Sequence, residues 1–201
     1  MMTSHFLQFI AQTHLPTHNG TLVVRAYRNT ETLQEPLAIV GQITDNPTPV
    51  RIHDACFTSE TLGSLKCDCK EQLDFAIQYI QEHGGVVIYL QQEGRGIGLA
   101  NKIAAYALQE DGLDTVEANR ALHLPDDNRI YDDAAAILEE LKIDTIALMT
   151  NNPRKMEALQ QLGIRVHSRI PIQVASSSNS HHYLATKATK MGHLLDLKKG
   201  S

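Results

Sequence analysis

No stretch of this 201-residue sequence approaches the ~20 consecutive apolar residues that a membrane-spanning helix needs, which argues against a helical membrane protein. Residues 1–18 lack the basic start and apolar core of a secretory signal, so the protein is expected in the cytoplasm. Excess positive charge is missing too. Lys and Arg number 18 against 23 Asp and Glu, a net −5 that argues against a bulk nucleic-acid binder and leaves room for a local cationic site. Cysteine is scarce and odd in number: Cys56, Cys67 and Cys69 fall within one short window, a poor basis for a disulfide framework and a better one for metal ligation or thiol chemistry. There is neither an internal repeat nor a linker. Residues 46–49, with Pro47 and Pro49, read as a loop inside one domain spanning 1–201, and the polar tail 174–201 is expected to be mobile.

What is present is globular: 42% hydrophobic and 20% charged residues, in a chain long enough to bury a core unaided. Short β-branched runs at 20–27 and 37–43 predict a β-rich N-terminal third. From Lys70 the period changes, with Leu73, Ala76, Ile77 and Ile80 on one helical face that ends before Gly84 and Gly85. An apolar strand at 86–90, a loop at 91–98, a helix to about Gln109, a helix at 132–142 and a strand at 145–149 follow. The alternation predicts an α/β fold, a mixed and largely buried sheet flanked by helices on both faces. A short helical ending is expected at 184–197.

Four segments carry possible chemistry. The three cysteines can place soft thiolates around zinc with an open fourth position, form a closed site with His53 as fourth ligand, or pack as small hydrophobes. Residues 91–99 (QQEGRGIGL) join a strand to a helix. Gly94, Gly96 and Gly98 could bring backbone N–H groups to an anion beside Arg95, or simply make a tight turn. At 149–155 Asn152 can cap a helix with Pro153 in its first position, leaving Thr150 and Lys155 at its start; an ordinary capped helix explains this equally well. The polar loop 125–131 holds Asp127 two residues from Arg129, a catalytic pair or a solvated turn.

Taken in order, these motifs resemble the GTP cyclohydrolase II family. The resemblance runs from Leu15-Pro-Thr through Val50-Arg-Ile-His53, Gly63-Ser-Leu-Lys-Cys-Asp-Cys69, Glu93-Gly-Arg-Gly-Ile-Gly-Leu99, Asn101-Lys102, Ala105-Tyr-Ala-Leu-Gln109, Leu113-Asp-Thr-Val-Glu-Ala-Asn119 and Thr150-Asn-Asn-Pro153 with Lys155, to Lys190-Met-Gly-His-Leu-Leu195. It implies a zinc-dependent hydrolase that opens the imidazole ring of GTP at C8. The products would be formate, pyrophosphate and 2,5-diamino-6-(ribosylamino)pyrimidin-4-one 5'-phosphate, the first step of riboflavin biosynthesis. By the same resemblance one zinc per subunit sits on Cys56, Cys67 and Cys69, where it lowers the pKa of bound water to about 7. Magnesium accompanies the triphosphate, and the assembly is a homodimer. Tyr106, Asp127 and Arg129 are the implied catalytic residues. Arg51, Ile52, His53, Asp54, Ala55, Gln72, Glu93, Gly94, Arg95, Thr115, Thr150 and Lys155 are the implied substrate contacts. The family assigns Arg129 as a nucleophile on the α-phosphorus with Asp127 accepting its proton. An always-protonated guanidinium is better suited to stabilising a phosphoryl transition state. Glu93 is the natural partner for guanine's N1–H and amine, because one carboxylate can accept both.

The chain departs from the family pattern where Arg-Val-His-Ser-Glu-Cys becomes Arg51-Ile-His-Asp-Ala-Cys56 and where Arg gives way to Gln91. These changes keep two other readings in view, a paralogue acting on another purine nucleotide and a zinc-containing nucleotide-binding regulatory module without turnover. A structural zinc domain that binds a protein is the third.

Overall fold

A computed structural model describes residues 6–43, 46–125 and 127–172; the tail 174–201 and the helix expected at 184–197 lie outside the described residues. Seven strands form one mixed sheet in the order β1-β2-β3-β5-β4-β6-β7. Its antiparallel side is β1 (Leu7–Thr17), β2 (Gly20–Asn29) and β3 (Leu37–Val40), which pairs antiparallel with β5 (Val86–Leu90). Its parallel side is β5, β4 (Thr48–Asp54), β6 (Thr145–Met149) and β7 (Arg165–Ile170). The helices are α1 (Phe57–Glu60), α2 (Cys69–His83), α3 (Leu99–Glu110), α4 (Thr115–Ala121), α5 (Asp132–Glu140) and α6 (Pro153–Gln161).

Strand parity sorts the core into two layers, because successive side chains on a strand face opposite ways. Val50, Ile52, Val86, Ile88, Leu90, Ile146 and Leu148 face α5 and α6, where Ala134, Ile137, Leu138 and Leu159 close over them. On the other face Val87 and Met149 meet Ala76, Ile77 and Ile80 of α2, the helical stripe expected from the sequence. Helix α2 stops at Gly84, whose φ is +78°, and the turn into β5 is so tight that a Cβ on Gly84 would stand 2.2 Å from the Gln42 carbonyl oxygen. Only glycine fits there.

Helices thus cover both faces, but the sheet is not uniformly buried. From Gln8 to Thr17, β1 is exposed throughout, so neither of its faces carries the apolar alternation that would have marked it as a strand. It is held instead by antiparallel pairing along β2, from Leu7 opposite Asn29 to Thr17 opposite Gly20. Residues 46–49, expected as a loop, contain the start of β4 at Thr48, and the strand expected at 37–43 ends at Val40. Helix α4, unassigned from the sequence, starts at a capping box: Asp114 accepts from the N–H groups of Val116 and Glu117 while Glu117 accepts from the Asp114 N–H. Among the described residues no helix is long and apolar enough to cross a membrane.

Candidate active site

The carboxyl ends of parallel strands are where α/β sheets gather ligand-binding residues. Here β4 runs out into Asp54 and Cys56, β5 into a 3₁₀ turn at Glu93–Gly96, and β6 into Thr150. One cavity lies between these exits.

At one end of it the three thiols converge. Cys56 precedes α1 and Cys69 opens α2, which brings the three Sγ atoms within 4.8 Å of one another, with Cys56 and Cys67 at 3.6 Å. None of the three cysteines is in a disulfide. Three soft donors in a compact triangle fit zinc, which takes four ligands and would keep one position open. His53 does not join them. Its Nε2 lies 2.9 Å from Glu60 Oε1, its ring stacks on Tyr89, and the only metal-competent group among the described residues is the three cysteines, so the closed site with His53 is not formed. Glu60 also accepts the Cys56 N–H at 2.8 Å and the Tyr89 hydroxyl at 2.7 Å, fixing the backbone that carries the first thiol. Contacts with Cys67 and Cys69, together with the ammonium of Lys102 at 3.1 Å, hold the Cys56 thiol far below the usual range. Sharing with Cys56 pushes Cys67 up. Burial pulls Lys102 down, yet Glu93 Oε1 at 2.7 Å and Cys56 outweigh it and keep the amine protonated.

Cations and one carboxylate fill the other end. Asp54 Oδ2 accepts from Arg129 Nη1 and from Lys155 Nζ, both at 2.9 Å. Burial alone would raise the Asp54 pKa; Lys155 and Arg129 outweigh it and bring it down to about 2. For Lys155 burial dominates, and with the nearby charges of Arg129 and Arg51 it lowers the amine to about 8 against the pull of Asp54. Asp127 holds Arg129 through Nε at 2.9 Å and Nη2, and these bonds with the charge of Asp54 outweigh burial and keep the guanidinium protonated. Arg51 is buried, donating to the Met149 carbonyl at 3.0 Å and to Gln72 Oε1 at 2.8 Å.

Of the two readings of the glycine-rich segment, the structure shows the tight turn. The N–H groups of Gly94, Gly96, Ile97 and Gly98 are all taken inside the turn, so they do not form an open cradle for an anion. The turn serves as a clamp. Gln92 pairs its side-chain amide with Ile130 in both directions, at 2.6 and 2.8 Å, and the Arg95 carbonyl accepts the Asn128 N–H. Gly96 has φ +85°, and a Cβ there would stand 2.7 Å from the Asn128 carbonyl oxygen. Loop 127–131 is therefore pinned to the turn, with Arg129 in the cavity wall and Asp127 held behind it.

Arg51, His53, Asp54, Ala55, Gln72, Glu93, Gly94, Arg95, Tyr106, Arg129, Thr150 and Lys155 all line the cavity with the three cysteines. Ile52 does not: strand parity turns its side chain into the core on the opposite face, fully buried, and only its carbonyl reaches the site, as an acceptor for Lys155. Asp127 stands behind Arg129 and outside the lining. The side chain of Thr115 lies outside the described residues. Gln91 points away, its side chain accepting the Glu35 N–H at 3.0 Å, so the family's cation is lost at a position that does not face the cavity. No local pattern in the sequence assigns a role to Lys102, Glu60 or Gln92; their importance comes from tertiary contacts.

Among the described residues, the buried side-chain atoms without a hydrogen-bond partner are Arg51 Nε, His53 Nδ1, Asp54 Oδ1 and Arg95 Nη1, all on residues of this cavity. Such groups are costly unless something else satisfies them. Five cations, Arg51, Arg95, Lys102, Arg129 and Lys155, line it in a chain of net charge −5. The concentration favours a polyanionic ligand.

Comparison with known proteins agrees in kind. The sequence model of the GTP cyclohydrolase II family matches residues 8–171. A GTP cyclohydrolase-2 of Shewanella woodyi is 46% identical over 192 residues, 94% of each chain, and that of Shewanella sediminis is 45% identical over the same length. A riboflavin biosynthesis protein RibBA of Bacillus mycoides is 47% identical over 186 residues, 91% of this chain and 47% of that one. With a family match across most of its length and relatives this similar, the chain belongs to the GTP cyclohydrolase II family of enzymes.

Proposed function

We propose that this enzyme hydrolyses GTP, as its magnesium complex, to formate, pyrophosphate and 2,5-diamino-6-(ribosylamino)pyrimidin-4-one 5'-phosphate, opening riboflavin biosynthesis. The observation that carries the reading is the pairing, in one cavity, of a three-thiol cluster with the Arg129–Lys155 cation pair. Cys56, Cys67 and Cys69 would hold zinc, which supplies the Lewis acidity that makes water nucleophilic near neutral pH. Two waters are consumed in releasing C8 as formate and one in cleaving the α–β phosphate bond.

The chain's own residues bind and orient. Arg129 stays protonated between Asp127 and Asp54, so it acts as a fixed positive charge at the α-phosphate, stabilising the charge that develops as pyrophosphate leaves. Lys155 and Arg95 add donors for the remaining phosphate oxygens. Tyr106, on α3 with Lys102 Nζ 5.7 Å from its ring centre, lines the same cavity as the thiols and orients the opening ring. Glu93 Oε1 already accepts from Lys102 and Gly94, and Oε2 from Phe57. With about four acceptor sites per carboxylate, it retains capacity for about one guanine N–H.

The test is turnover of GTP by zinc-replete protein with magnesium, following formate, pyrophosphate and the pyrimidine together. All three should appear, and Cys67→Ser should abolish the pyrimidine. Zinc-loaded protein that leaves GTP untouched contradicts the reading. Light scattering tests the expected homodimer.

A further inference from the structure

We infer that Asp54 is a positioning residue that also sets the anion preference of the cavity: its carboxylate ties Arg129 to Lys155 and takes one positive charge away from the phosphate end. The inference deepens the proposed function and rests on it for the identity of the natural substrate.

A single oxygen, Oδ2, accepts from both cations at 2.9 Å. The side chains involved are little exposed, 11% for Asp54, 13% for Arg129 and 4% for Lys155, so solvent and salt screen the charges weakly. Without an anion between them, two like charges held this close would repel. Counting donors makes the cost to a ligand concrete. A guanidinium has five N–H groups and an ammonium three. Arg129 spends Nε and one N–H of Nη2 on Asp127 and one of Nη1 on Asp54; Lys155 spends one on the Ile52 carbonyl and one on Asp54. Three N–H groups remain for phosphate oxygens, and two more would be released if Asp54 were neutral and let go. The other oxygen, Oδ1, is buried, has no partner, and belongs to a residue lining the cavity. A phosphate entering here meets two oriented cations and one carboxylate oxygen that has no hydrogen-bond partner. Asp54 therefore trades anion affinity for a fixed Arg129, and discriminates most strongly against the ligand with the most negative charge.

The experiment is calorimetric binding of inorganic pyrophosphate to wild-type protein and to Asp54→Asn, with steady-state GTP kinetics alongside. Loss of the carboxylate charge should tighten pyrophosphate roughly ten- to a hundredfold, the range of one charge-assisted hydrogen bond. The KM for GTP should fall while kcat also falls, because Arg129 loses its anchor. A purely structural role would move stability and leave this opposed pair of changes absent. Asp54→Ser also removes the charge and must show the same tightening, which covers the case in which Asp54→Asn does not fold. Unchanged or weaker pyrophosphate binding in a folded variant overturns the inference, whatever the enzyme does with GTP. Absence of GTP turnover in wild-type protein with tightened pyrophosphate binding in the variants would instead remove the proposed substrate and leave Asp54's role standing.

Discussion

Along the antiparallel edge, charged side chains are neutralised at the surface: Arg25 on β2 meets Glu140 at 2.6 Å and Gln12 at 3.1 Å, and Arg28 meets Glu35 at 2.7 Å. At the exits of β4, β5 and β6 the same kinds of side chain are buried, and four of their polar atoms lack partners among the described residues. One sheet thus carries surface ion pairs on its antiparallel side and buried, incompletely satisfied polar groups at the exits of its central parallel strands. The apolar layers around β4, β5 and β6 supply the stability that lets those ends remain so.

The largest difference between the halves should appear on removing core volume. Ile137→Ala in α5, where the side chain is fully buried, is expected to cost about 2–5 kcal/mol in urea unfolding. Phe9→Ala on β1, 42% exposed and touching Tyr27 edge-on, should cost under about 1 kcal/mol. Equal losses would erase the distinction. Next, Gly96→Ala should cost about 1–3 kcal/mol, since it combines a positive φ with a contact against the Asn128 carbonyl, and should lower activity by loosening loop 127–131. Activity unchanged in that variant would show that the clamp is dispensable. The third test is acid. Asp54 has a folded pKa of about 2, depressed from 3.8, so its contribution is present above the unfolded value and is lost as pH falls through the folded one. Between pH 6 and pH 2, wild-type protein should lose about 2 kcal/mol more than Asp54→Asn, measured by denaturant unfolding at each pH. Smallest of all, Gln91→Arg should change the KM for GTP less than about twofold, because position 91 faces Glu35 and not the cavity.

Much of this was legible in the sequence where local pattern and burial agree. The stripe Leu73, Ala76, Ile77, Ile80, the apolar strands of β5 and β6, and the Asn152 cap with Pro153 behind it each follow from periodicity or capping chemistry. Strand β1 was not legible, since an edge with both faces in water has no apolar alternation to read. The glycine run leaves an anion cradle and a tight turn open, because spacing cannot say whether its amides are used within the turn. Resemblance groups Ile52 with the ligand contacts, whereas the period of two, with Arg51 and His53 facing the cavity, turns its side chain into the core. Lys102 against Cys56 and Glu60 against His53 are meetings of distant segments, and the sequence carries no local trace of them.

The most direct test of the central claim, that ligand binding belongs to the exits of the parallel strands, is hydrogen exchange on Cys67→Ser protein with and without magnesium–GTP. The account predicts added protection within 51–56, 93–98, 127–131 and 150–155 and none along β1 and β2. Protection gained chiefly along β1 and β2, with those four segments unchanged, would contradict it.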